Sequence, residues 1–225
     1  MAIQVQGNGG TVAEVDGTSY RALRTRNAPI DVAALGHYQI SVVSGAIAAG
    51  MGALGELFQI RWTDATRLCI PLKLEITGMR ATTAFAAGVI DLEAILARSW
   101  SGDGTGGTAA TLTGNNQKMR TSMGSSLMGT IRFPTTAALG AGTKTFDAHA
   151  IGRITSHSSG GVGSATPIIG SIFLPKTIIF EQDMADGESP IILAQNEGLV
   201  ARGTVPATGV WNIGFDFKWC EVAAF

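Results

Sequence analysis

Residues 211–219, which read WNIGFDFKW, decide the fold of this chain. Every second residue is large and apolar, and the residues between them are small or polar. A period of two is the side-chain repeat of a β-strand, whereas a helix would scatter the same residues around its axis. Burying one such face contributes on the order of 10 kcal/mol, before the cost of ordering the chain is subtracted. The stretch therefore predicts a strand with one face in a core, formed by Trp211, Ile213, Phe215, Phe217 and Trp219.

A second β-rich run, residues 199–205, lies just upstream and is joined to the first by Pro206-Ala207-Thr208-Gly209. Proline presets φ and glycine accepts positive φ, so a link of this length and composition is typical of a tight turn. The two runs together predict a β-hairpin.

Most of the remaining chain also has a strand-like pattern. The runs with alternating or β-branched residues are 37–47, 55–62, 68–79, 129–133, 145–154 and 168–180. Pro71 lies inside one of them and cannot donate to a ladder, which indicates an edge strand or a bulge. Residues 86–100 have good helix formers and also alternate; in a chain of this character we favour a strand.

Many short strands without a βαβ rhythm or an internal repeat predict an all-β fold. We expect a two-layer antiparallel β-sandwich, and a jelly roll is the favoured topology because its two Greek keys use this many strands. The predicted organisation is an extended N-terminal arm at 1–30, then a single sandwich domain at 31–225. A long loop insertion is expected at 101–129, with a short helical or irregular part around 108–129.

Two segments are candidates for contacts with other subunits. The arm contains a basic cluster, Arg21, Arg24 and Arg26, which suits a neighbour's acidic surface. The insertion contains Met119, Met123 and Met128, with Leu127 beside them; at spacings near four these side chains would form one stripe on a short helix. Such a stripe either caps the sandwich or contacts a neighbour, since flexible methionine fits irregular surfaces.

Composition limits the classes of partner. Charged residues are only 15% of the chain and glycine is abundant, which fits surfaces buried against neighbours or a compact β protein with many turns. The net charge of −1 offers no field that would draw the protein to nucleic acid or to a membrane surface. No apolar run approaches the ~20 residues of a membrane span, and the start lacks the pattern of a secretory signal. We therefore expect synthesis in a cytosol.

No catalytic, metal-binding or cofactor-binding pattern stands out, and we expect a protein that is not an enzyme. His37, His149 and His157 have no metal-ligand spacing with one another. Two cysteines, Cys69 and Cys220, are too few for a disulfide framework and are expected as buried free thiols. Two weaker alternatives are a carboxylate pair for sugar hydrolysis at Asp91 and Glu93, and a calcium site at Asp183, Asp186 and Glu188.

Two parts of the second half of the chain resemble structural proteins of tailed bacteriophages. One is the C-terminal pair of segments LAQNEGLV, residues 193–200, and TVPATGVW, residues 204–211. The other is NNQKMRTSM, residues 115–123, together with TTAAL, residues 135–139. The resemblance brings no catalytic residue with it.

By analogy with jelly-roll proteins that coat capsids, the resemblance implies a decoration or cement protein on the capsid surface of the virion, made in the cytoplasm of the host bacterium. Its expected partners are further copies of itself, as a homotrimer, and the major capsid protein. The alternative from another class is a carbohydrate-binding, lectin-like module of a tail or fibre, because jelly rolls also serve as lectins.

Overall fold

The computed structural model of the chain describes residues 35–48, 51–114, 117–158, 172–182 and 190–223. These residues form strands joined by turns and irregular segments, with no helix among them. The strands are β1 (Gly36–Val43), β2 (Ile47–Ala48), β3 (Met51–Trp62), β4 (Leu68–Thr83), β5 (Gly88–Gly102), β6 (Thr108–Ala109), β7 (Met128–Phe133), β8 (Thr143–Phe146), β9 (Gly152–Ser158), β10 (Ile172–Leu174), β11 (Thr177–Glu181), β12 (Glu197–Val205) and β13 (Val210–Val222). The predicted all-β class is confirmed.

The strands form two antiparallel sheets that pack together. Sheet 1 has the order β1-β13-β4-β10, with β11 also paired to β4 and β2 to β13. Sheet 2 has the order β6-β7-β3-β12-β5-β8, with β9 also paired to β5. The structure is therefore the two-layer antiparallel sandwich that the alternating patterns predict.

The pairing of the long strands follows a simple rule. The long strands of the first half pair with those of the second half in reverse order: β1 with β13, β3 with β12, β4 with β10 and β11, and β5 with β8 and β9. Each sheet thus combines strands from both halves of the chain, and β13 and β12 also pair with β4 and β5.

The core lies between the sheets and is rich in aromatic rings. In β13, all five residues of the alternating face are between 0% and 1% exposed. Trp219 stacks between Tyr38 and Phe217, with ring centroids 5.4 Å and 5.1 Å apart, and Phe58 of sheet 2 stacks on Phe215 of sheet 1 at 5.2 Å. Offset stacking of this kind contributes roughly 0.5–1.5 kcal/mol per pair beyond the buried area. The stretch 211–219 is therefore the centre of the fold.

The predicted hairpin of residues 199–205 and 211–219 is wrong. β12 belongs to sheet 2, between β3 and β5, whereas β13 belongs to sheet 1, between β1 and β4. The link between them carries the chain from one sheet to the other, with φ of 62° at Thr208 and 90° at Gly209. Both strands need a partner on each side to satisfy their backbone groups, and a hairpin on its own would supply only one.

Two other expectations concern residues 86–100 and Pro71. Residues 88–102 form strand β5, which confirms the preference for a strand over a helix. Pro71 lies where the register of β4 against β13 shifts, so the bulge interpretation is confirmed, since β4 is flanked on both sides within sheet 1. A further bulge in β3 skips Leu57 in the pairing with β12, which places Glu56 on the outer face while Leu57 and Phe58 both join the core.

The described residues of the insertion around 108–129 are irregular, which confirms one of the two predicted alternatives, and the methionine stripe on a short helix is wrong. Its described residues contain the short strand β6, isolated turns and one bridge between Lys118 and Tyr38. Hydrogen bonds to strand β1 take the place of helical ones, as Gln39 N–H donates to the Gln117 carbonyl and Met119 N–H donates to the His37 carbonyl, both at 3.0 Å.

The predicted N-terminal arm, 1–30, lies outside the described residues. Within the described part of the chain, no helix has the length and apolarity that a membrane crossing requires.

Candidate contact surfaces

The outer face of sheet 1 contains a shallow trough that runs along β13 and β4. One end is a hollow of about 170 Å³ whose lining includes Gln39, Asp216 and Lys218. A second hollow of about 270 Å³ lies next to it and is lined by residues that include Gly214 and Arg80. Asp216 and Gly214 lie two positions apart on the same strand face, so the two hollows adjoin.

Charged side chains line the first hollow in two rows. Across the register of β13 and β4, Asp216 lies opposite Glu75, and Lys218 lies opposite Lys73. Glu75 forms ion pairs with Lys73 at 2.8 Å and with Lys176 at 2.7 Å. Burial alone would raise the pKa of Glu75, but the hydrogen bonds from Lys176 and Lys73 outweigh it and lower this pKa. The Glu75 carboxylate is thus ionised, and the two lysines neutralise its charge.

The two members of these rows that lie on β13, Asp216 and Lys218, are not neutralised in this way. Asp216 Oδ1 is buried and has no hydrogen-bond partner among the described residues. Lys218 makes no ion pair with any carboxylate of the described segments, whereas Lys73 forms two. A buried polar atom without a partner carries its full desolvation cost, about 1–3 kcal/mol, until a partner supplies the missing bond.

Two exposed apolar side chains project from the same face, one on each side of the trough. Val43 at the end of β1 is 61% exposed and also lines the second hollow, and Ile178 of β11, which pairs with Glu75, is 44% exposed. Unpartnered charges beside exposed apolar groups are the features expected of a surface that another molecule covers.

The outer face of sheet 2 has many charges, and its buried carboxylates Glu56 and Glu93 have cationic partners. Glu93 of β5 is 2% exposed and accepts hydrogen bonds from Arg153 of β9 and, at 2.6 Å, from Arg202 of β12. Burial would raise the pKa of Glu93, yet the hydrogen bonds from Arg202 and Arg153 outweigh it and lower this pKa. The Arg202 guanidinium also lies 4.6 Å from the centroid of the Phe146 ring.

This network bears on the carboxylate pair considered for sugar hydrolysis. Asp91 and Glu93 do share the outer face of β5, as expected, and Arg153 contacts both carboxylates. A general acid for glycoside cleavage needs a raised carboxyl pKa, whereas the pKa of Glu93 is lowered by its two guanidinium partners. The arrangement is that of an ion-pair network between β5, β9 and β12.

A second buried ion pair lies in the same cross-strand row, because Glu56 of β3 and Glu93 of β5 are both register partners of Arg202. Lys144 Nζ is 2.8 Å from Glu56 Oε2, and the two side chains are only 1% and 7% exposed. Gln59 donates to the same Glu56 oxygen at 2.6 Å, and the Lys144 ammonium lies 4.4 Å from the centre of the Trp100 ring. The β3 bulge that turns Glu56 outward is what makes this pair possible.

The described residues of the insertion dock on their own sandwich. We name residues 117–127 the strap. Tyr38 Oη donates to the Gly124 carbonyl at 3.1 Å, and Glu221 Oε1 accepts from Ser126 Oγ at 2.7 Å and from Leu127 N–H at 3.0 Å. Glu221 is 1% exposed, and burial, opposed by these bonds, raises its pKa. The strap thus covers the start of β1, an edge that would otherwise be open to pairing.

The three methionines predicted for an interface have different surroundings. Met119 is 50% exposed on the strap and is the one with a large free surface. Met123 is half-buried, and its sulfur accepts from His37 N–H at 3.3 Å. Met128 begins β7 and is 5% exposed in the core, which corrects its assignment as a contact residue. Leu127, 40% exposed, accompanies Met119 on the outward side of the strap.

The remaining candidates are scattered. His149 and His157 are exposed, and burial together with Lys218 lowers the pKa of the half-buried His37. Both cysteines are buried free thiols as expected, and burial raises the pKa of Cys220 to about 12. Within the described segments, no group of three or more His, Cys, Asp or Glu side chains could hold a metal ion. The predicted arginine cluster, Arg21, Arg24 and Arg26, and the calcium alternative at 183–188 lie outside the described residues.

Comparison of the chain with protein-family models, with curated proteins and with solved structures found no match. The segments that resemble phage virion proteins lie at the turn before β12, the link between β12 and β13, and the strap. These are structural elements of the sandwich, and the assignment to a virion stays a prediction.

Proposed function

We propose that this chain is a structural protein of a tailed-phage virion, which acts by contact as a decoration or cement protein on the capsid surface. The observation that carries the contact role is the outer face of sheet 1, where a carboxylate and an ammonium without an ionic partner among the described residues lie beside exposed apolar side chains. The resemblance of residues 115–123 and 135–139, and of residues 193–200 and 204–211, supports the place of action. The proposed partners are copies of this chain, as a homotrimer, and the major capsid protein.

In the proposed mechanism, a rigid sandwich presents surface groups for contact, and no chemical reaction takes part. The aromatic core and the buried ion pairs of sheet 2 hold the shape of the sandwich, so that surface groups are presented without a cost of reordering on contact. The trough, together with Met119 and Leu127 of the strap, then offers polar and apolar groups to neighbours. Contacts between symmetric copies and the shell would resist the pressure of the packaged genome.

A sedimentation experiment tests the role. Purified chain is added to heads of the encoding phage that lack it, and bound protein is measured after pelleting as a function of concentration. The proposal expects saturable binding with a fixed number of copies per head, and a higher temperature of genome release from coated heads. Binding that never saturates, or coated and bare heads of equal stability, would refute it.

A carbohydrate-binding module is the second candidate, and the polar trough is the observation in its favour. Carboxylate, amide and ammonium groups line it, and such groups bind hydroxyls. Against it, exposed aromatic rings that stack on sugars are missing from the described surface: each of the four tryptophans is at most 1% exposed. A glycan array separates the two candidates, because a hit abolished by Asp216→Ala would favour the lectin role.

A further inference from the structure

The outer face of sheet 1 carries an acidic row next to a basic row. Asp216 and Glu75 form the first, and Lys218 and Lys73 form the second. Residues two positions apart on a strand share a face and lie about 7 Å from each other, so the rows are neighbours. Like charges directly opposite across two strands are destabilising unless counter-charges lie beside them.

Of these four residues, only the two on β4, Glu75 and Lys73, have ionic partners among the described residues of the chain. Glu75 has Lys73 and Lys176 as partners, and Lys73 also contacts Glu181 at 3.7 Å. The two β13 members, Asp216 and Lys218, are left without an ionic partner within the described segments. One unpaired carboxylate and one unpaired ammonium, on one strand face with a core residue between them, form a self-complementary pair.

We propose that this face is a two-fold interface between two copies of the chain, in which Asp216 of each copy pairs with Lys218 of the other. An axis that lies between the two copies, parallel to sheet 1 and perpendicular to β13 at Phe217, places position 216 of each copy opposite position 218 of the other after half a turn. Each acidic row then faces a basic row, which is the reciprocal contact that a two-fold axis requires. Asp216 lines the hollow and is only partly buried, so an incoming lysine can approach its side chain there.

Apolar groups at the edge of the face add to the pairing. Val43 and Ile178 lie on opposite sides of the trough and would lose their contact with water in the assembled pair. A polar centre with a partly apolar surround differs from the usual interface anatomy, so the charges set orientation and partner choice more than affinity. If copies also form trimers through another surface, this contact would join one trimer to the next.

This contact deepens the proposed function by naming one partner and the residues that meet it. The two-fold contact and the role on the capsid can be refuted independently, because the experiment below uses only the purified chain and no phage head.

Charge-reversal variants test the pairing directly. Asp216→Lys presents two lysines at positions 216 and 218, and Lys218→Asp presents two aspartates. Neither single variant can form the reciprocal pairs with itself, and each is expected to self-associate at least roughly tenfold more weakly than the wild type. Mixed in equal amounts, the two variants are complementary, and heterodimers with nearly wild-type affinity are expected. Analytical ultracentrifugation of separately labelled chains measures all three states.

Arg120→Glu serves as the matched control, because it reverses a charge on the exposed strap outside this face and should leave self-association unchanged. Circular dichroism confirms that each variant is folded. A wild type that is monomeric at about 100 μM, single variants that associate like the wild type, or a mixture that stays dissociated would each overturn the proposal. If the wild type is monomeric, the partner of this face is not a second copy of the chain.

Discussion

The outer faces of the two sheets differ in how completely their carboxylates are paired with cations. On sheet 2, Glu93 has two guanidinium partners and Glu56 has Lys144, so buried charges are neutralised by the strands beside them. On sheet 1, Asp216 has no cationic partner among the described residues, and its Oδ1 is buried without a hydrogen bond. Gln59 Oε1, Arg61 Nε and Arg132 Nε of sheet 2 are also buried without one, so the contrast between the faces concerns carboxylates: those of sheet 2 are paired with cations, and Asp216 of sheet 1 is not. We assign the stabilising ion-pair network to sheet 2 and the contact surface to sheet 1.

The largest expected effect of a single change comes from the buried pair of sheet 2. Lys144→Met removes one charge and leaves the Glu56 carboxylate buried, which costs about 3–5 kcal/mol of unfolding free energy. Urea denaturation measures the loss. The double variant Lys144→Met with Glu56→Gln removes the stranded charge and should recover a large part of it. A single variant as stable as the wild type would show that the pair has no structural role.

Replacing one carboxylate on each face sharpens the comparison. Glu93→Gln weakens two charge-assisted hydrogen bonds and should cost about 1–3 kcal/mol. Asp216→Asn removes a charge that has no ionic partner among the described residues, so it should lower the unfolding free energy by no more than about 0.5 kcal/mol. Both are read from urea denaturation at the same protein concentration. If Asp216→Asn were the more costly change, the assignment of the two faces would be reversed.

The dependence of stability on pH should also differ between two buried carboxyls. The pKa of Glu93 is lowered from 4.5 in the folded chain, so its contribution is complete above that value and is lost as pH falls through the folded pKa. The pKa of Glu221 is raised from 4.5, so the folded state favours its acid form, and stability is lost as pH rises from that value through the folded pKa.

Two glutamine variants separate these contributions in urea denaturations from about pH 3.5 to 7. The deficit of Glu93→Gln relative to the wild type should shrink towards acid, whereas Glu221→Gln should gain on the wild type as pH rises. We expect each change across the range to be under about 1 kcal/mol. The groups that act on Glu221 are Asp64, which raises its pKa, and Ser126, Leu127 and Trp219, which donate to it. Parallel curves for all three proteins would contradict the pKa directions.

The smallest effect on stability is expected at the exposed apolar residues of sheet 1. Val43→Thr and Ile178→Thr keep β-branched side chains and should change unfolding free energy by less than about 0.5 kcal/mol. Together they should weaken self-association, since they remove apolar area from the proposed interface. Val89→Thr, 53% exposed at the start of β5 on sheet 2, is the matched control. Equal weakening by the control would place the contact elsewhere.

Alternation alone was enough to predict the sandwich and the buried face of β13, because a period of two is a local property of the chain. It could not reveal that β12 and β13 lie in different sheets, since a turn such as 206–209 looks the same whether the flanking strands pair or separate. The candidate contact face was missed for a related reason. Asp216 and Lys218 are visible as the polar side of a strand, but their neighbours Glu75 and Lys73 depend on the register shifts in β4.

The methionine prediction failed because spacing near four was interpreted as helical. In the structure, backbone groups of the strap pair with β1, and Glu221 and Tyr38 hold its return segment. Those contacts join residues about 80 to 100 positions apart in sequence, and no local pattern encodes them.

Lysine accessibility tests the central claim, that sheet 1 is the contact face, most directly. Acetylation of each lysine is measured by mass spectrometry in dilute and in concentrated purified protein. The account predicts that Lys218 becomes protected at high concentration, while Lys144, whose side chain is 1% exposed, reacts slowly at both. Equal acetylation of Lys218 at every concentration would contradict it.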